Sequence, residues 1–194
     1  MFNVLDGSLM VETRKWIAYF SQTGSEIVYI SKQLGRWPDR IITNKRPEHL
    51  RTIHPDIPKE LLMWTQNKPE VHEYDWLMRD FVNPIVTLHG WLRVVPAELC
   101  NKYEIYNGHP GLITRYPELK GKDPQMKAWE LDHHTAGCVI HKVTAGVDEG
   151  EILMEREFGC RLLDLDGLFR KLHETSTGMW IEFLHDKLWL SELH

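Results

Sequence analysis

The sequence predicts one α/β domain over residues 1–194, with a mainly parallel sheet, helices on both faces and an antiparallel addition towards the C-terminus. Three observations support this prediction. In the first half, short apolar runs alternate with helical patterns, which is typical of βαβ units. In the second half, two strand-like runs joined by a short loop lie between Gly137 and Phe158, as expected of an antiparallel pair. No internal repeat or long linker divides the chain, and its length is enough to bury a core.

The first predicted unit begins with the apolar run at residues 15–21, KWIAYFS, which reads as a strand. A polar turn follows, and apolar residues at helical spacing then predict a helix over residues 26–34, which Gly35 ends. A second strand at residues 40–43 completes a βαβ unit. The polar turn therefore lies at the carboxyl end of the first strand, where open α/β sheets bind ligands.

The remaining elements follow in order. Four prolines make residues 46–69 an irregular connection, with one helical turn predicted at residues 59–65. Beyond it the patterns predict a helix at 74–82, a strand at 84–90, a short helix at 96–102, a strand at 103–107, a helix at 123–131, strands at 137–143 and 151–158, and a long helix from residue 164.

Composition excludes several classes of protein. The chain has 42% hydrophobic residues and eight Trp, which is incompatible with a disordered chain. Its net charge of -5 offers no basic field for a nucleic-acid backbone, so no nucleic-acid partner is expected. No stretch approaches the roughly 20 apolar residues of a membrane span, and the N-terminus has no unbroken apolar core of the kind a signal peptide needs.

The three cysteines, Cys100, Cys138 and Cys160, match neither a disulfide framework nor a zinc knuckle. They are expected to be reduced thiols in a cytoplasmic protein, present as a monomer or homodimer. Histidines 133, 134 and 141 are close in sequence, but adjacent strand residues point to opposite faces, which is poor geometry for a shared ion. We therefore predict no metal site and interpret these histidines as structural or surface residues.

The residues best suited to chemistry are Asn107, His109 and Asp148, which occupy two loops expected at the carboxyl end of the sheet. An amide, an imidazole and a carboxylate that face one another can stabilise a tetrahedral oxyanion while a proton leaves an attacking nitrogen. His109 and Asn107 would be the donors and Asp148 the proton acceptor. Taken alone the triplet is weak, because Asn-Gly turns and surface Asp residues are common structural devices.

Five segments in order resemble the folate-dependent formyltransferases, most of all the glycinamide ribonucleotide formyltransferases. They are Ser21-Gln22-Thr23-Gly24-Ser25, Gly90-Trp91-Leu92-Arg93, Asn107-Gly108-His109-Pro110, Gly137-Cys138-Val139-Ile140-His141 and Val147-Asp148-Glu149-Gly150. The order and gaps agree over about residues 15–188. The resemblance implies a Rossmann-like formyltransferase fold.

The resemblance also implies an activity, the transfer of a formyl group from 10-formyltetrahydrofolate to a primary amine of a small nucleotide or sugar. Asn107, His109 and Asp148 occupy the family's catalytic positions. The residues it assigns to the folate are Trp91, Leu92, Arg93, Val94, Thr144 and Gly146.

On the acceptor side, the resemblance assigns Gly24 and Ser25 to a phosphate-binding turn, and Lys171 and Glu174 to contacts with the acceptor. Glu26, however, stands where the family usually has Asn. A carboxylate beside a phosphate is unfavourable unless it points away. Lys171 and Glu174 also have a simpler interpretation as a solvated i,i+3 ion pair.

Other functions remain open from the sequence. Sugar-nucleotide N-formyltransferases share the catalytic trio, and a formyltetrahydrofolate hydrolase would use water in place of the amine. Initiator tRNA is a poor acceptor candidate, because the chain is acidic and lacks the further C-terminal domain with which methionyl-tRNA formyltransferases hold tRNA. From a different class, the protein could be a catalytically idle folate- or nucleotide-binding module, although a pure binder has no use for the polar trio.

Overall fold

The computed structural model describes residues 13–189 and contains one seven-stranded sheet and five α-helices in that range. The strands are β1 Trp16–Phe20, β2 Arg40–Thr43, β3 Leu62–Trp64, β4 Ile85–Leu88, β5 Glu104–His109, β6 Thr135–Lys142 and β7 Ile152–Gly159. The helices are α1 Ser25–Leu34, α2 Val71–Met78, α3 Ala97–Lys102, α4 Pro124–Glu130 and α5 Leu165–Leu188. Short 3₁₀ helices span Pro47–Thr52 and Pro117–Leu119.

The strand order is β3-β2-β1-β4-β5-β6-β7. The first five strands in this order run parallel, whereas β6 is antiparallel to both β5 and β7. The sheet therefore confirms the predicted fold class, a mainly parallel sheet with an antiparallel addition. The strand order reverses at β1. The chain first adds β2 and β3 on one side of β1 and then returns to add β4 and β5 on the other side, so a crevice forms at the carboxyl ends of β1 and β4.

The core has two layers because β1 is buried on both faces. On one face Trp16, Ala18 and Phe20 belong to a cluster that includes residues of α1 and α5. On the other face Ile17 and Tyr19 pack with residues of α2 and α3. This alternation follows from the two-residue period of a strand and confirms that helices cover both faces.

One element differs from its prediction. The sequence predicts a helical turn over residues 59–65, but Leu62–Trp64 forms the edge strand β3, paired in parallel with β2. Three residues are too few for a periodic signal, and the open edge of β2 supplies the hydrogen-bond partners that make them a strand. A second difference is that β5 continues to His109, because β6 provides a pairing partner as far as the His109 and Val139 pair.

All three cysteines are free, as expected. Within residues 13–189 no helix is long and apolar enough to cross a membrane. The N-terminal segment on which the expectation of no signal peptide rests lies largely outside the described residues.

The β6–β7 pairing can be tested at Gly137, where an added methyl group would lie 2.2 Å from the backbone oxygen of Arg156 on β7. We expect Gly137→Ala to lower the free energy of unfolding by about 2 to 3 kcal/mol, because the two strands must separate to admit the methyl group. Urea denaturation measures this change. Gly159→Ala is the matched control in the same ladder, since no atom lies within 4 Å of its added methyl group. Equal losses in both variants would contradict the pairing.

Candidate active site

Asn107, His109 and Asp148 converge at the carboxyl end of β5. The Nδ1 atom of His109 lies 3.2 Å from Oδ2 of Asp148, and the amide nitrogen of Asn107 lies 3.4 Å from Oδ1 of the same carboxylate. The side chains of His109 and Asp148 are 5% and 9% exposed. The trio expected from the sequence is thus within direct hydrogen-bonding reach and shielded from water.

The strand geometry explains this convergence. Asn107 and His109 are two residues apart on β5 and therefore point to the same face. Gly108 lies between them, and a methyl group there would come 2.5 Å from the indole nitrogen of Trp180. A glycine at this position lets α5 pack closely against β5. Asp148 adopts a left-handed conformation, with φ of 51°, in the loop from β6 to β7, and this turns its carboxylate towards β5.

His141 is a fourth member of the site. It pairs directly with Asn107 across the β5–β6 ladder, and its Nε2 atom lies 3.1 Å from the Asn107 amide nitrogen and 3.2 Å from Oδ1 of Asp148. The expectation that His141 is only a structural or surface residue therefore misses its place in the site. One signal for this role was present in the sequence, because His141 ends the segment of residues 137–141 that resembles a segment of the family. The cross-strand register that places His141 beside Asn107 is not visible in the sequence.

Backbone groups complete the site. Nε2 of His109 lies 2.8 Å from the Leu119 carbonyl, and the Gly121 N–H donates to Oδ2 of Asp148 at 2.8 Å. Gly121 has a φ of 82°, in the left-handed region that favours glycine. The segment from Pro117 to Gly121 therefore covers His109 and Asp148, a position that its sequence does not predict.

The contacts of His109 fix where its proton lies. A carbonyl oxygen only accepts, so the proton of neutral His109 is on Nε2, opposite Leu119. The Nδ1 atom that faces Asp148 then carries a lone pair. Nδ1 of His141 lies 3.0 Å from the Lys142 oxygen, and its Nε2 atom faces Asp148 and the Asn107 amide. A buried carboxylate beside an imidazole lone pair can take up a proton and share it, and this is what a general base requires.

The ionisation of the pair is set by opposing effects. Burial raises the pKa of Asp148, but the hydrogen bond with His141, the nearby His109 and the Gly121 N–H outweigh it and lower the pKa. Burial lowers the pKa of His109 by more than the Asp148 carboxylate raises it. At neutral pH the site therefore holds an ionised Asp148 and a neutral His109.

The residues assigned to the folate lie on two segments. Leu92 and Val94 are 56% and 66% exposed, and Thr144 and Gly146 belong to the loop that carries Asp148. The guanidinium of Arg93 holds the backbone oxygen and side-chain oxygen of Asn67. These segments offer exposed apolar side chains beside a fixed cation.

Trp91 differs from its neighbours. Its ring is 6% exposed, its Nε1 donates to the Tyr74 hydroxyl at 3.0 Å, and it packs edge-on against Tyr19. The structure therefore places the ring in the core beneath the sheet, where it supports the segment that follows it.

At the turn after β1, Gly24 is the N-cap of α1 with a φ of 72°, and the Ser25 N–H donates to the Thr23 hydroxyl at 3.3 Å. The Leu92 N–H donates to the Ser21 hydroxyl at 3.0 Å, which joins this turn to the folate segment. The turn thus forms the adjoining wall of the crevice.

Lys171 and Glu174 lie one turn apart on α5 and contact each other. Their side chains are 51% and 59% exposed and lie 3.9 Å apart, as in a solvated ion pair. Ser176 instead faces α1, where its hydroxyl donates to Glu26 at 2.5 Å. The sequence does not reveal this contact or the one between Glu26 and His89, because both join distant segments of the chain.

No group of three or more side chains that could hold a metal ion occurs among the described residues. His133 instead stacks on Tyr116 at a centroid distance of 4.0 Å.

Comparison with known proteins identifies the family. The family model described as Formyl transferase matches residues 27–168, which is more than half of the chain. The chain therefore belongs to the formyl transferase family, as the sequence motifs indicate.

Individual relatives show how far the likeness extends. Methionyl-tRNA formyltransferase of Thermotoga neapolitana is 34% identical over 117 residues, which are 58% of this chain and 36% of that protein. This chain therefore matches about a third of that relative's length.

Two solved structures share the fold. Phosphoribosylglycinamide formyltransferase from Campylobacter jejuni superposes with a TM-score of 0.74 at 18% identity, covering 89% of this chain and 96% of that one. A formyltetrahydrofolate deformylase from Pseudomonas syringae superposes with a TM-score of 0.69 at 17% identity, covering 92% and 64% of the two chains. At these identities the likeness establishes the fold and leaves the substrate open.

The contact between His109 and Asp148 predicts a change that NMR can measure. Asp148→Asn removes the carboxylate that raises the pKa of His109, so this pKa should fall further below its ordinary value. A pH titration of the imidazole C–H signals tests this. The signal of His72, whose side chain is 76% exposed, is the control and should not differ between the two proteins. An unchanged or raised His109 pKa would contradict the pairing.

The same shift has a consequence for stability. Because the pKa of His109 is lower in the folded chain, the unfolded chain binds this proton more tightly below pH about 6.5. The free energy of unfolding should therefore fall as the pH drops through about 6.5, and fall further at more acidic pH as Asp148 takes up a proton. Urea denaturation at a series of pH values measures both losses, and a His109→Gln variant should lack the first.

Proposed function

We propose that this protein transfers the formyl group of 10-formyltetrahydrofolate to a primary amine of a small nucleotide or sugar acceptor, resembling glycinamide ribonucleotide. The observation that carries the proposal is the buried contact of Asn107, His109 and Asp148 at the carboxyl end of the sheet. Family membership gives the reaction class, and the kind of acceptor is proposed from the resemblance of the sequence motifs to those of the glycinamide ribonucleotide formyltransferases.

The reaction needs no covalent enzyme intermediate. The acceptor nitrogen attacks the formyl carbon, and the formyl oxygen gains negative charge as the tetrahedral intermediate forms. Asn107 has an amide N–H to donate to this oxygen, and His109 offers its Nε2–H. In this structure the Nε2–H of His109 is donated to the Leu119 carbonyl, so substrate binding must displace that carbonyl or rotate the imidazole.

Asp148 acts as the base. The attacking nitrogen loses a proton to its carboxylate, directly or through a water, and the departing folate nitrogen regains a proton when the carbon–nitrogen bond breaks. The Nδ1 lone pair of His109 can accept a hydrogen bond from the Asp148 carboxyl once it holds the proton. The same carboxylate thus serves as base and then as acid, and no net proton is consumed.

The donor would lie between the two exposed segments beside the trio. Leu92 and Val94 present apolar surface for the pterin ring, and the loop from Thr144 to Asp148 covers its other side. Arg93 supplies the cation that a folate's carboxylates require, although its guanidinium must share its bonds with Asn67.

The catalytic assignment is tested with His109→Ala. Loss of an oxyanion donor should lower kcat by roughly 10²-fold or more, with little change in KM for the donor. His185→Ala is the control, since that side chain is 72% exposed on α5. Formyl-folate consumption measured with each variant decides the outcome, and an equal loss in both would exclude His109 from the chemistry.

The acceptor is tested with a panel that contains glycinamide ribonucleotide, amino-sugar nucleotides and water alone. We expect loss of formyl-folate that depends on an amine. Equal rates with and without every amine would instead identify a hydrolase, and selective use of an amino sugar would identify a sugar N-formyltransferase. Binding of the folate without any turnover would identify an idle binding module.

A further inference from the structure

A second buried carboxylate lies at the other end of the crevice. Glu26 is in the first turn of α1, and its side chain is 17% exposed. Its Oε2 atom lies 2.8 Å from Nδ1 of His89, and its Oε1 atom accepts from the Ser176 hydroxyl at 2.5 Å. The carboxylate is therefore held by the end of β4 on one side and α5 on the other, and both oxygens have partners.

The directions of these hydrogen bonds can be read from the donors. The indole N–H of Trp16 only donates, and it points to the Thr87 hydroxyl oxygen at 2.8 Å. The Thr87 hydroxyl lies 2.8 Å from Nε2 of His89, so its own proton can go to that nitrogen. Nδ1 of His89 is then the nitrogen that can donate to Glu26. One chain of donors can therefore run from Trp16 through Thr87 and His89 to Glu26.

This arrangement holds Glu26 as a carboxylate at the start of α1. Burial raises the pKa of Glu26, but the hydrogen bond and charge interaction with His89 and the bond from Ser176 outweigh it and lower the pKa. The amino end of a helix favours an anion, and here the anion is a side chain of the helix itself.

A turn that leads into a helix commonly binds a substrate phosphate with its backbone N–H groups. Here such a phosphate would share the helix terminus with Glu26. Within the described part of the chain, no Lys or Arg side chain donates to residues 21–25. Two like charges placed together in a binding site repel each other and lower the affinity.

We propose that Glu26, fixed by His89 and Ser176, takes the place of a substrate phosphate at the start of α1, so that the acceptor carries no phosphate where it meets this turn. The acceptor class is then an unphosphorylated amino sugar or amino nucleoside, whose hydroxyl groups can donate to the carboxylate. This inference rests on the proposed function, and it replaces the phosphate-bearing acceptor named there, glycinamide ribonucleotide, with an unphosphorylated amine. Glu26 is a specificity residue, and His89 and Ser176 are positioning residues.

The activity test compares two acceptors that differ by one phosphate, glycinamide ribonucleoside and glycinamide ribonucleotide. With the parent protein, kcat/KM should be at least roughly tenfold higher for the nucleoside. Glu26→Asn should remove this preference by raising kcat/KM for the nucleotide. Asp186→Asn, at a side chain that is 80% exposed on α5, is the control and should keep it. A parent protein that prefers the nucleotide would overturn the proposal.

A binding test does not depend on turnover. Ribose 5-phosphate and ribose are titrated into the protein while the amide NMR signals of Gly24 and Ser25 are followed. The parent protein should show no saturable shift with ribose 5-phosphate, and Glu26→Asn should show one. Saturable binding by the parent protein, or none by either protein, would overturn the proposal.

These two tests separate the inference from the proposed function. If no amine supports loss of formyl-folate, the proposed function fails, and the ribose 5-phosphate titration still decides the role of Glu26. If Glu26→Asn does not fold, Glu26→Gln keeps the length of the side chain and removes its charge, and the same results are expected of it.

Discussion

The pairing of β6 with β5 is the contact on which the active site depends. It sets Asn107 opposite His141, and it extends β5 as far as His109. It also places the loop that leaves β6 above the carboxyl end of β5, so that Asp148 meets both imidazoles. A shift of this register by one residue would turn every side chain of the pair to the opposite face and separate the site. The antiparallel strands thus bring the side chains of the candidate site together, whereas the parallel strands form the crevice beside it.

Burial of the site has a cost that the backbone offsets. A carboxylate and two imidazoles removed from water are stable only when their polar atoms have partners. The partners of Asp148 include the Gly121 N–H, and the outer nitrogens of both histidines face carbonyl oxygens. The covering segment from Pro117 to Gly121 therefore has two effects. It orients His109 and Asp148, and it occupies the Nε2–H of His109 that the proposed reaction would use.

The fold was largely predictable from the sequence because its signals are local. The strand at residues 40–43 has the predicted bounds, and the helix predicted from Asp164 is α5, which that residue caps by accepting from the Gly167 N–H. Periodicity and capping depend on neighbours in the chain. The edge strand β3 was missed because its three residues become a strand only by pairing with β2.

The site was predictable only in part, because several of its contacts join residues that are distant in the chain. Asn107, His109 and Asp148 stand in recognisable motifs, whereas the role of His141 depends on cross-strand register. The contributions of Leu119 and Gly121 come from backbone groups, for which side-chain identity carries little information. The contact of Glu26 with Ser176 spans 150 positions and depends on how α1 and α5 pack.

The two carboxylates of the crevice differ in the groups that face them. Asp148 faces Nδ1 of His109, whose other nitrogen gives its proton to the Leu119 carbonyl, so this side of the carboxylate meets a lone pair. Such a carboxylate can take up a proton and share it with the imidazole. Glu26 instead accepts from the Ser176 hydroxyl on one oxygen, and Nδ1 of His89 lies 2.8 Å from the other. In the proposed reaction, the first carboxylate is therefore suited to proton transfer, and the second to selecting the acceptor by its charge.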